Sequence, residues 1–425
     1  MPTSERLHYA WVVLTVGTLV VFGALGLARF GYTIVLPAMQ SGLDMGDTGA
    51  GLLATANLAG YLALSLIGGA LASRFGPRRV TAIGMTLVGL GMILTGASNT
   101  LGSAVLWRAV TGLGSGASNV PAMALMSAWF GARRRGFASG IAVAGSSIGL
   151  ILLGPLVPWI LSSWPEDGWR FSWYLFGGVA IALAIISYAL LRDDPSEKHL
   201  KPLGGESQAP PAKEQSRSGL RWSEVYTSRR VWHLGLVYAA FGFSYITYMT
   251  FFVRYLEGEI GYTREAAGSL FMIMGWFSLA CGLIWGTLSD RIGRRAALVL
   301  VYLIHALAFS LFVIWPRPAG LTLSAVLYGL TAWSIPAIMA ATCGDALGPR
   351  LAPAALGFIT LFFGIGQAIA PSIAGSMAEA SGSFKGALLL AAAIALVGAF
   401  GSLLIRPSSH QGRTAPVETA GDAPG

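Results

Sequence analysis

Long apolar stretches alternate with short polar segments along the whole chain of 425 residues. The hydrocarbon core of a bilayer is roughly 30 Å thick, and about 20 apolar residues of helix cross it. The pattern therefore predicts an all-α integral membrane protein with twelve spanning helices. These spans lie near residues 11–38, 48–72, 79–98, 102–129, 136–163, 170–191, 231–256, 265–288, 296–315, 319–345, 352–379 and 385–405.

A polar segment, residues 192–230, divides the twelve spans into two sets of six. The sequence predicts an N-terminal six-helix half over 1–191, this segment as a linker, and a C-terminal six-helix half over 231–406. Residues 407–425 are rich in Pro, Gly and Ala. That composition is typical of a disordered tail.

The two halves of the chain repeat each other in sequence. A shift of 217 positions, without a gap, superposes the charged loop after span 2 on the loop after span 8 and aligns glycines in several spans. The matched pairs include Gly69 with Gly286, Arg74 with Arg291, Arg78 with Arg295, Gly51 with Gly268, Gly112 with Gly329 and Gly149 with Gly366. Parallel repeats of this kind place a substrate site between the halves, near the middle of the membrane. We predict two pseudo-repeats around a central cavity.

Charged residues make up 11% of the chain, and its formal net charge is +9. A soluble domain has about 25% charged residues. Of the 28 Lys and Arg residues, 21 fall in the termini, the linker and the loops on one side of the predicted spans. Such an excess marks the cytoplasmic side of a membrane protein. We therefore predict cytoplasmic termini in a multi-pass protein of the bacterial inner membrane, with a positive charge that serves topology and not nucleic-acid binding.

Two loops carry similar patterns, GALASRFGPRR at Gly69–Arg79 and GTLSDRIGRR at Gly286–Arg295. Both resemble the signature between the second and third spans of each half in the major facilitator superfamily. The stretch LWRAVTGLGSGAS, Leu106–Ser118, is similar to the Arg-plus-glycine motif of span 4 in that superfamily. Within it, LARFGYTIVLP and GFITLFFGIGQAIAPSIAG look like the YbfB/YjiJ-like branch. The resemblance extends to about residue 407 and implies a transporter without cofactors, in which spans 1 and 4 line the central cavity.

The signature loops supply candidate gating residues. Asp and Arg side chains there can join helix ends by charge-assisted hydrogen bonds. The candidates are Arg74, Arg78, Asp290, Arg291, Arg294 and Arg295. The first copy has Ser73 where the second has the acid Asp290, so we expect the complete latch in the second copy. The alternative is that both loops are basic only because of the positive-inside bias.

Two arginines, Arg29 and Arg108, lie deep within predicted spans 1 and 4. All 19 acidic residues fall in loops, the linker, the tail or near span ends, so neither arginine has a deep carboxylate partner in sequence. A charge at this depth costs about 2.5–3.5 kcal/mol on insertion scales and marks functional positions. Because a guanidinium binds carboxylate or phosphate through two parallel hydrogen bonds, we predict Arg29 as the main anchor of an anionic solute. A structural role, with bonds to backbone carbonyls, is the alternative for each arginine.

Other polar and aromatic residues could complete this site. Tyr32 shares the helical face of Arg29. Tyr245 and Tyr248 belong to an aromatic stripe in span 7. This stripe either packs against neighbouring helices or lines a polar cavity. Arg254, near the outer end of that span, is expected to extend to the membrane surface. The predicted substrate-binding residues are Arg29, Tyr32, Asn57, Tyr61, Arg108, Asn119, Tyr245, Tyr248, Tyr328 and Gln367.

The sequence has no cluster of His, Cys, Asp or Glu with the spacing of metal ligands, and its two cysteines lie in separate spans. It also shows no catalytic triad. We therefore predict a monomeric secondary transporter embedded in lipid, not an enzyme, that moves a small organic acid or oxyanion by alternating access. Two alternatives stay open. One is an efflux transporter of drugs or toxic metabolites, and the other is a membrane sensor that transports nothing.

Overall fold

The computed structural model describes residues 8–204 and 222–405. Within these ranges the chain is almost entirely helical, and its one β-bridge joins Phe130 to Leu203. Twelve helices of spanning length confirm the predicted architecture. They are span 1, Ala10–Leu43; span 2, Asp47–Phe75; span 3, Pro77–Gly96; span 4, Leu101–Trp129; span 5, Ala132–Ser163; span 6, Gly168–Leu190; span 7, Arg229–Gly258; span 8, Arg264–Ile292; span 9, Arg294–Ile314; span 10, Pro318–Asp345; span 11, Ala354–Ser381; and span 12, Lys385–Leu403. The predicted tail, 407–425, and the centre of the linker, 205–221, lie outside the described residues.

Spans 10 and 11 differ from the predicted pattern. The sequence predicts a break over residues 346–351, but the helical backbone is continuous from Ser334 to Ser381. An interruption occurs earlier, between the helix Pro318–Gly329 and Ser334. The connection between the two spans is therefore a helix and not a loop.

The repeat found in the sequence is also present in the packing of the helices. Gly112 in span 4 lies so close to span 2 that an added Cβ would meet the carbonyl of Asn57. Gly329 in span 10 lies in the same way against the carbonyl of Met274 in span 8. Both members of the second contact are 217 positions after those of the first. Glycine at these positions lets the backbones of two helices approach closely.

The two halves touch each other at one end of the bundle, which we call the closed end. It carries the loops between spans 1 and 2, 7 and 8, and 11 and 12. Here Gly51 of span 2 packs against the carbonyl of Pro371 in span 11, and Ser372 donates a hydrogen bond to Thr55 at 2.8 Å. Further along the same face of span 2, Gly69 has no described atom near an added Cβ. Spans 2 and 11 therefore separate toward the other end.

Spans 5 and 8, the second pair of helices between the halves, are also in contact at one end and separate toward the other. Gly268 packs against the carbonyl of Gly154, and the Ser278 hydroxyl donates to the Ser147 hydroxyl at 2.7 Å. Near the loop between spans 8 and 9, an added Cβ on Gly286 meets no described atom. We call this end, with the loops after spans 2 and 8, the open end. The halves are thus in contact at the closed end and apart at the open end.

A polar clamp joins the halves at the closed end. Asp47 of span 2 forms an ion pair with Arg254 of span 7 at 3.2 Å and accepts a hydrogen bond from Gln40 at 2.8 Å. Glu379 of span 11 accepts a hydrogen bond at 2.7 Å from the backbone N–H of Thr48. Arg254, which the sequence predicts to extend to the membrane surface, reaches across the interface to Asp47 at the first residue of span 2. The clamp reinforces the glycine contacts that close this end.

Candidate functional site

Arg29 lies at the end of an unusual stretch of span 1. Residues Phe22–Phe30 form a π-helix, a wider and rarer helix that is often found at functional sites. Within it, Gly26 lies directly against Gly149 of span 5, so that the two backbones are in contact. The combination of a widened helix and a glycine contact brings Arg29 to the interface between the halves.

The Arg29 side chain reaches from the N-terminal half to the C-terminal half. Its Nη1 donates to Gln367 Oε1 at 3.1 Å and contacts the Tyr245 hydroxyl at 3.4 Å. Tyr245 in turn donates to the same Gln367 oxygen at 2.5 Å. The guanidinium carbon lies 4.4 Å from the centre of the Tyr61 ring, a cation–π geometry. We call Arg29, Tyr61, Tyr245 and Gln367 the Arg29 cluster.

One edge of the Arg29 guanidinium has no partner among the described residues. Both Nε and Nη2 are buried there without a hydrogen bond. Buried donors of a charged group are costly when they have no acceptor. The Nε and Nη2 donors form one side of the planar fork that binds two oxygens of a carboxylate or similar anion. The cluster therefore holds Arg29 by neutral partners and leaves one edge for an anion.

Asn119 of span 4 completes the support of Arg29 indirectly. Its side-chain amide donates to the Tyr61 hydroxyl at 3.1 Å, which fixes the ring that faces the guanidinium. Asn119 was predicted as a substrate-binding residue, and the structure places it behind Tyr61.

Arg108 has a different environment from Arg29. Its side chain is buried with 1% exposure, and its Nη1 donates to the carbonyl of Ala28 at 2.8 Å. The rings of Tyr32 and Trp173 lie 4.8 and 4.9 Å from its guanidinium carbon. Because Ala28 belongs to the π-helix and precedes Arg29, Arg108 fastens the backbone from which Arg29 projects.

Two further candidates also serve this support. Tyr32 donates to the carbonyl of Ala50 at 2.7 Å, which ties span 1 to span 2. Asn57 donates to the carbonyl of Arg108 at 3.1 Å, which ties span 2 to span 4. Both side chains are buried. They join three spans of the N-terminal half around the two arginines.

A very small cavity connects the two arginines. Arg29 and Arg108 both line it, together with Thr33, Asn57 and Thr250, and its volume is about 10 Å³. That is room for about one water molecule. Neither arginine forms an ion pair with any residue of the described ranges. The two charges thus share a confined space to which the chain supplies only neutral polar groups.

Tyr248 and Tyr328 are not brought to the Arg29 cluster. Tyr248 shares a hydrogen bond of 2.8 Å with Ser324, and its ring centre lies 5.0 Å from that of Tyr328. Both rings are fully buried and pack against Phe309 within the C-terminal half. Their position is that of core residues. Sequence spacing could not separate them from Tyr245, which lies only three positions before Tyr248.

The second signature loop, where the sequence leads us to expect the complete latch, carries a network of ion pairs centred on Arg294. Arg294 pairs with Asp290 at 2.5 Å and with Asp345 of span 10 at 3.4 Å, and it donates to the Ser289 hydroxyl at 2.7 Å. All these residues belong to the C-terminal half. Arg291 and Arg295 are exposed at the same loop. The latch therefore ties spans 8, 9 and 10 together at the open end.

At the first signature loop, an acid from elsewhere in the chain contacts the start of span 3. Asp193, which follows span 6, accepts a hydrogen bond from the backbone N–H of Arg78 at 2.6 Å. The Arg78 side chain donates to the carbonyl of Tyr188 at 2.5 Å and lies over its ring. Arg74 is exposed, with its guanidinium over Phe75. Sequence reasoning missed Asp193, although the acidic pair in LRDDPSE was a visible signal.

A family model described as "Uncharacterised MFS-type transporter YbfB" matches residues 21–403. Among solved structures, a bacterial homologue of the human lysosomal transporter Spinster, in an inward-facing and unoccupied conformation, aligns with a TM-score of 0.75 and 16% identity. The alignment covers 95% of this chain and 98% of that one. At this identity the likeness concerns the fold.

Several curated relatives are transporters of organic anions. The probable sulfoacetate transporter SauU of Cupriavidus necator is 26% identical, over 95% of both chains. The hexuronate transporter of Bacillus subtilis is 22% identical, over 89% of this chain and 90% of its own. The probable L-galactonate transporter of Escherichia coli is 24% identical, over 86% of this chain and 82% of its own.

Proposed function

The chain belongs to the family of MFS-type transporters that this model describes, within the major facilitator superfamily, and we propose that it carries small organic anions across the membrane by alternating access. One observation carries the proposal. The deep arginine between the halves, Arg29, keeps a buried Nε and Nη2 edge without a partner among the described residues. A carboxylate or sulfonate supplies the two oxygens that this edge lacks.

The described contacts favour an anion over a cation at this place. The Arg29 cluster contributes one positive charge, and its other polar groups, from Tyr61, Tyr245 and Gln367, are neutral. A cationic solute would meet a guanidinium without a neighbouring carboxylate. An anion would accept charge-assisted hydrogen bonds from Nε and Nη2 of Arg29, which have no partner among the described residues. Such bonds are about twice as strong as neutral ones.

The orientation of the protein follows from its loops. The open end carries the arginine-rich loops after spans 2 and 8, and such loops mark the cytoplasmic side. We therefore assign the open end to the cytoplasm, which makes this conformation inward-open. In an outward-open state the clamp of Asp47, Arg254 and Glu379 would open and the glycine faces at the cytoplasmic end would meet. The Arg29 cluster, between the two ends, would then be exposed to each side in turn.

The names of the relatives agree with this substrate class. Sulfoacetate, hexuronate and L-galactonate are small organic anions, each with a carboxylate, a sulfonate or both. We propose the same chemical class for this chain, a solute whose anionic group binds Arg29. Since no deep carboxylate is present among the described residues, we propose that coupling uses exchange of anions or a proton carried with the solute.

Flux measurements test this function. Purified protein is reconstituted in liposomes, and uptake of radiolabelled sulfoacetate and D-glucuronate is compared for wild type, Arg29→Ala and Arg29→Lys. We expect at least one of these anions to be transported, with little flux for the Ala variant and partial flux for the Lys variant. The matched control is Arg317→Ala, which removes an exposed arginine at the closed end.

Three results would contradict the proposal. Wild-type flux of the anion by Arg29→Ala would remove Arg29 as the anchor. Flux restricted to cationic dyes such as ethidium would favour an efflux transporter of drugs or toxic metabolites, in which Arg29 has a structural role. Absence of flux for all these probes, with intact folding, would favour a sensor.

A further inference from the structure

The small cavity between Arg29 and Arg108 is lined by side chains with unused hydrogen-bond donors. Nε and Nη2 of Arg29 and Nε of Arg108 are buried without a partner among the described residues. Thr33 and Thr250 add two hydroxyls to the same wall. The side chains of Arg108, Thr33 and Thr250 belong to residues that are 1%, 2% and 4% exposed. The cavity is therefore bordered by polar donors that are shielded from bulk water.

The charge around this cavity is positive and unbalanced. Both guanidiniums line it, and no Asp or Glu is found among the described residues of its wall. Much of the remaining wall is apolar, with Ala54, Leu58 and Ile246 among its members. Like charges repel more strongly in such surroundings than in water, and a buried charge without a counter-ion is costly. An anion in the cavity would balance one of the two charges and accept hydrogen bonds from the unused donors.

The size of the cavity restricts which anion fits. Its volume of about 10 Å³ holds about one water molecule. A chloride ion is only slightly larger than a water molecule, and it accepts hydrogen bonds from several directions. An organic anion, with its carbon body, is too large for this space. Ile246 and Thr250 of span 7 close the wall from the C-terminal half, so an organic anion needs this helix to move away from Arg29.

We propose that this cavity binds a chloride ion when no organic anion is bound. The ion accepts charge-assisted hydrogen bonds from the unpaired donors of Arg29 and Arg108, and the hydroxyls of Thr33 and Thr250 complete its shell. Chloride and the organic anion both use the Nε and Nη2 edge of Arg29, so binding of one releases the other. Chloride is then the counter-ion of anion exchange. This release rests on the proposed function, because it needs an organic solute at Arg29, whereas chloride binding itself does not.

The line width of the chloride NMR signal tests this site, because bound chloride broadens the signal of the free ion. Purified full-length protein is titrated with chloride as wild type and as variants. We expect chloride affinity to fall about tenfold in Arg29→Ala and about threefold to fivefold in Thr250→Val. Arg317→Ala, an equal loss of charge at an exposed position, should leave it unchanged. So should Thr247→Val, since this buried hydroxyl of span 7 donates to the carbonyl of Phe243.

Competition separates this inference from the proposed function. Sulfoacetate or D-glucuronate, whichever the wild type transports, should narrow the chloride signal to the width seen with Arg29→Ala. Equal broadening by wild type and Arg29→Ala would overturn chloride binding and leave water as the occupant, even if organic anions are transported. Bound chloride that a transported anion does not displace would contradict the shared edge of Arg29. Chloride binding by a protein that transports no organic anion would support this site and contradict the proposed function. Thermal unfolding verifies that every variant is folded.

Discussion

Arg29 and Arg108 are the same residue type at similar depth in one half of the molecule, but their surroundings assign them different tasks. Arg108 is enclosed by its own half, with a backbone carbonyl at 2.8 Å and two aromatic rings against its guanidinium. Arg29 is held mainly by the other half, through Gln367 and Tyr245. One arginine therefore fastens the scaffold of its own half, and the other joins the two halves.

The two arginines differ in which of their donors have partners, and this difference is the basis for proposing that one is structural and the other binds an anion. Both arginines retain donors without partners among the described residues, Nε in Arg108 and both Nε and Nη2 in Arg29. A single Nε offers one hydrogen bond, whereas an adjacent pair of donors matches two oxygens of one anion. A charge deep in a span indicates that the residue is needed for structure or for function. Which of its hydrogen-bond donors have partners distinguishes these two roles.

Loss of Arg108 should have the largest effect, and it should fall on stability. Arg108→Leu removes the donor to the Ala28 carbonyl and both ring contacts, and it leaves a poorly filled space. We expect a loss of about 3 kcal/mol in the free energy of unfolding. Thermal unfolding in detergent measures it, with Arg317→Leu as the exposed control. If Arg108→Leu kept wild-type stability but lost anion binding, Arg108 would be a binding residue and not a structural one.

A carboxylate placed beside Arg29 should have the next largest effect, and it should fall on binding. Gln367→Glu keeps the size of the side chain and gives the guanidinium a permanent anionic partner. We expect anion affinity to fall about thirtyfold, or 2 kcal/mol, with no loss of stability. Equilibrium binding of radiolabelled sulfoacetate or D-glucuronate measures it. Unchanged affinity would mean that the anion does not use this arginine.

Weakening the clamp at the closed end should have a moderate effect on conformation. Asp47→Asn removes the ion pair with Arg254, which is partly buried and therefore worth about 1 kcal/mol. In a Thr55→Cys/Ser372→Cys background, disulfide cross-linking reports contact between spans 2 and 11. We expect Asp47→Asn to reduce the cross-linked population severalfold, because the closed end loses a contact between the halves. A larger cross-linked population in Asp47→Asn would contradict the idea that the Asp47–Arg254 pair holds this end closed.

Loss of Asn119 should have the smallest effect. Asn119→Leu frees the Tyr61 hydroxyl and loosens the ring against Arg29, at the cost of about one hydrogen bond. We expect anion affinity to fall about threefold to fivefold. Tyr61→Phe, which removes the same hydrogen bond from the other side, should give a similar value. If the double variant is no worse than either single variant, Asn119 acts through Tyr61.

The sequence predicted the architecture well because hydropathy and the 217-residue repeat depend on local composition and constant spacing. Arg29, Tyr61, Tyr245 and Gln367 were also predicted, since buried polar residues stand out in apolar helices. The structure adds their partners. Tyr245 and Tyr248 lie three positions apart in one stripe, but the packing of span 7 directs one to Arg29 and the other to Ser324.

Other features depend on contacts that a single sequence does not encode locally. The π-helix before Arg29 arises where span 1 meets span 5, and its residues carry no distinct signal. The Asp193 cap comes from a segment more than 100 residues away from Arg78, and the Asp47–Arg254 pair joins the two halves. Sequence reasoning placed both acids in loops or at helix ends but could not name their partners.

The role of Arg29 is tested most directly by equilibrium binding to purified protein, without transport. Radiolabelled sulfoacetate or D-glucuronate, whichever the wild type transports, is titrated against wild type, Arg29→Lys and Arg29→Ala. Loss of two charge-assisted hydrogen bonds predicts affinity about a hundredfold weaker for Arg29→Ala, with Arg29→Lys intermediate and all three proteins equally stable. Wild-type affinity in a folded Arg29→Ala protein would contradict Arg29 as the anchor of the anion.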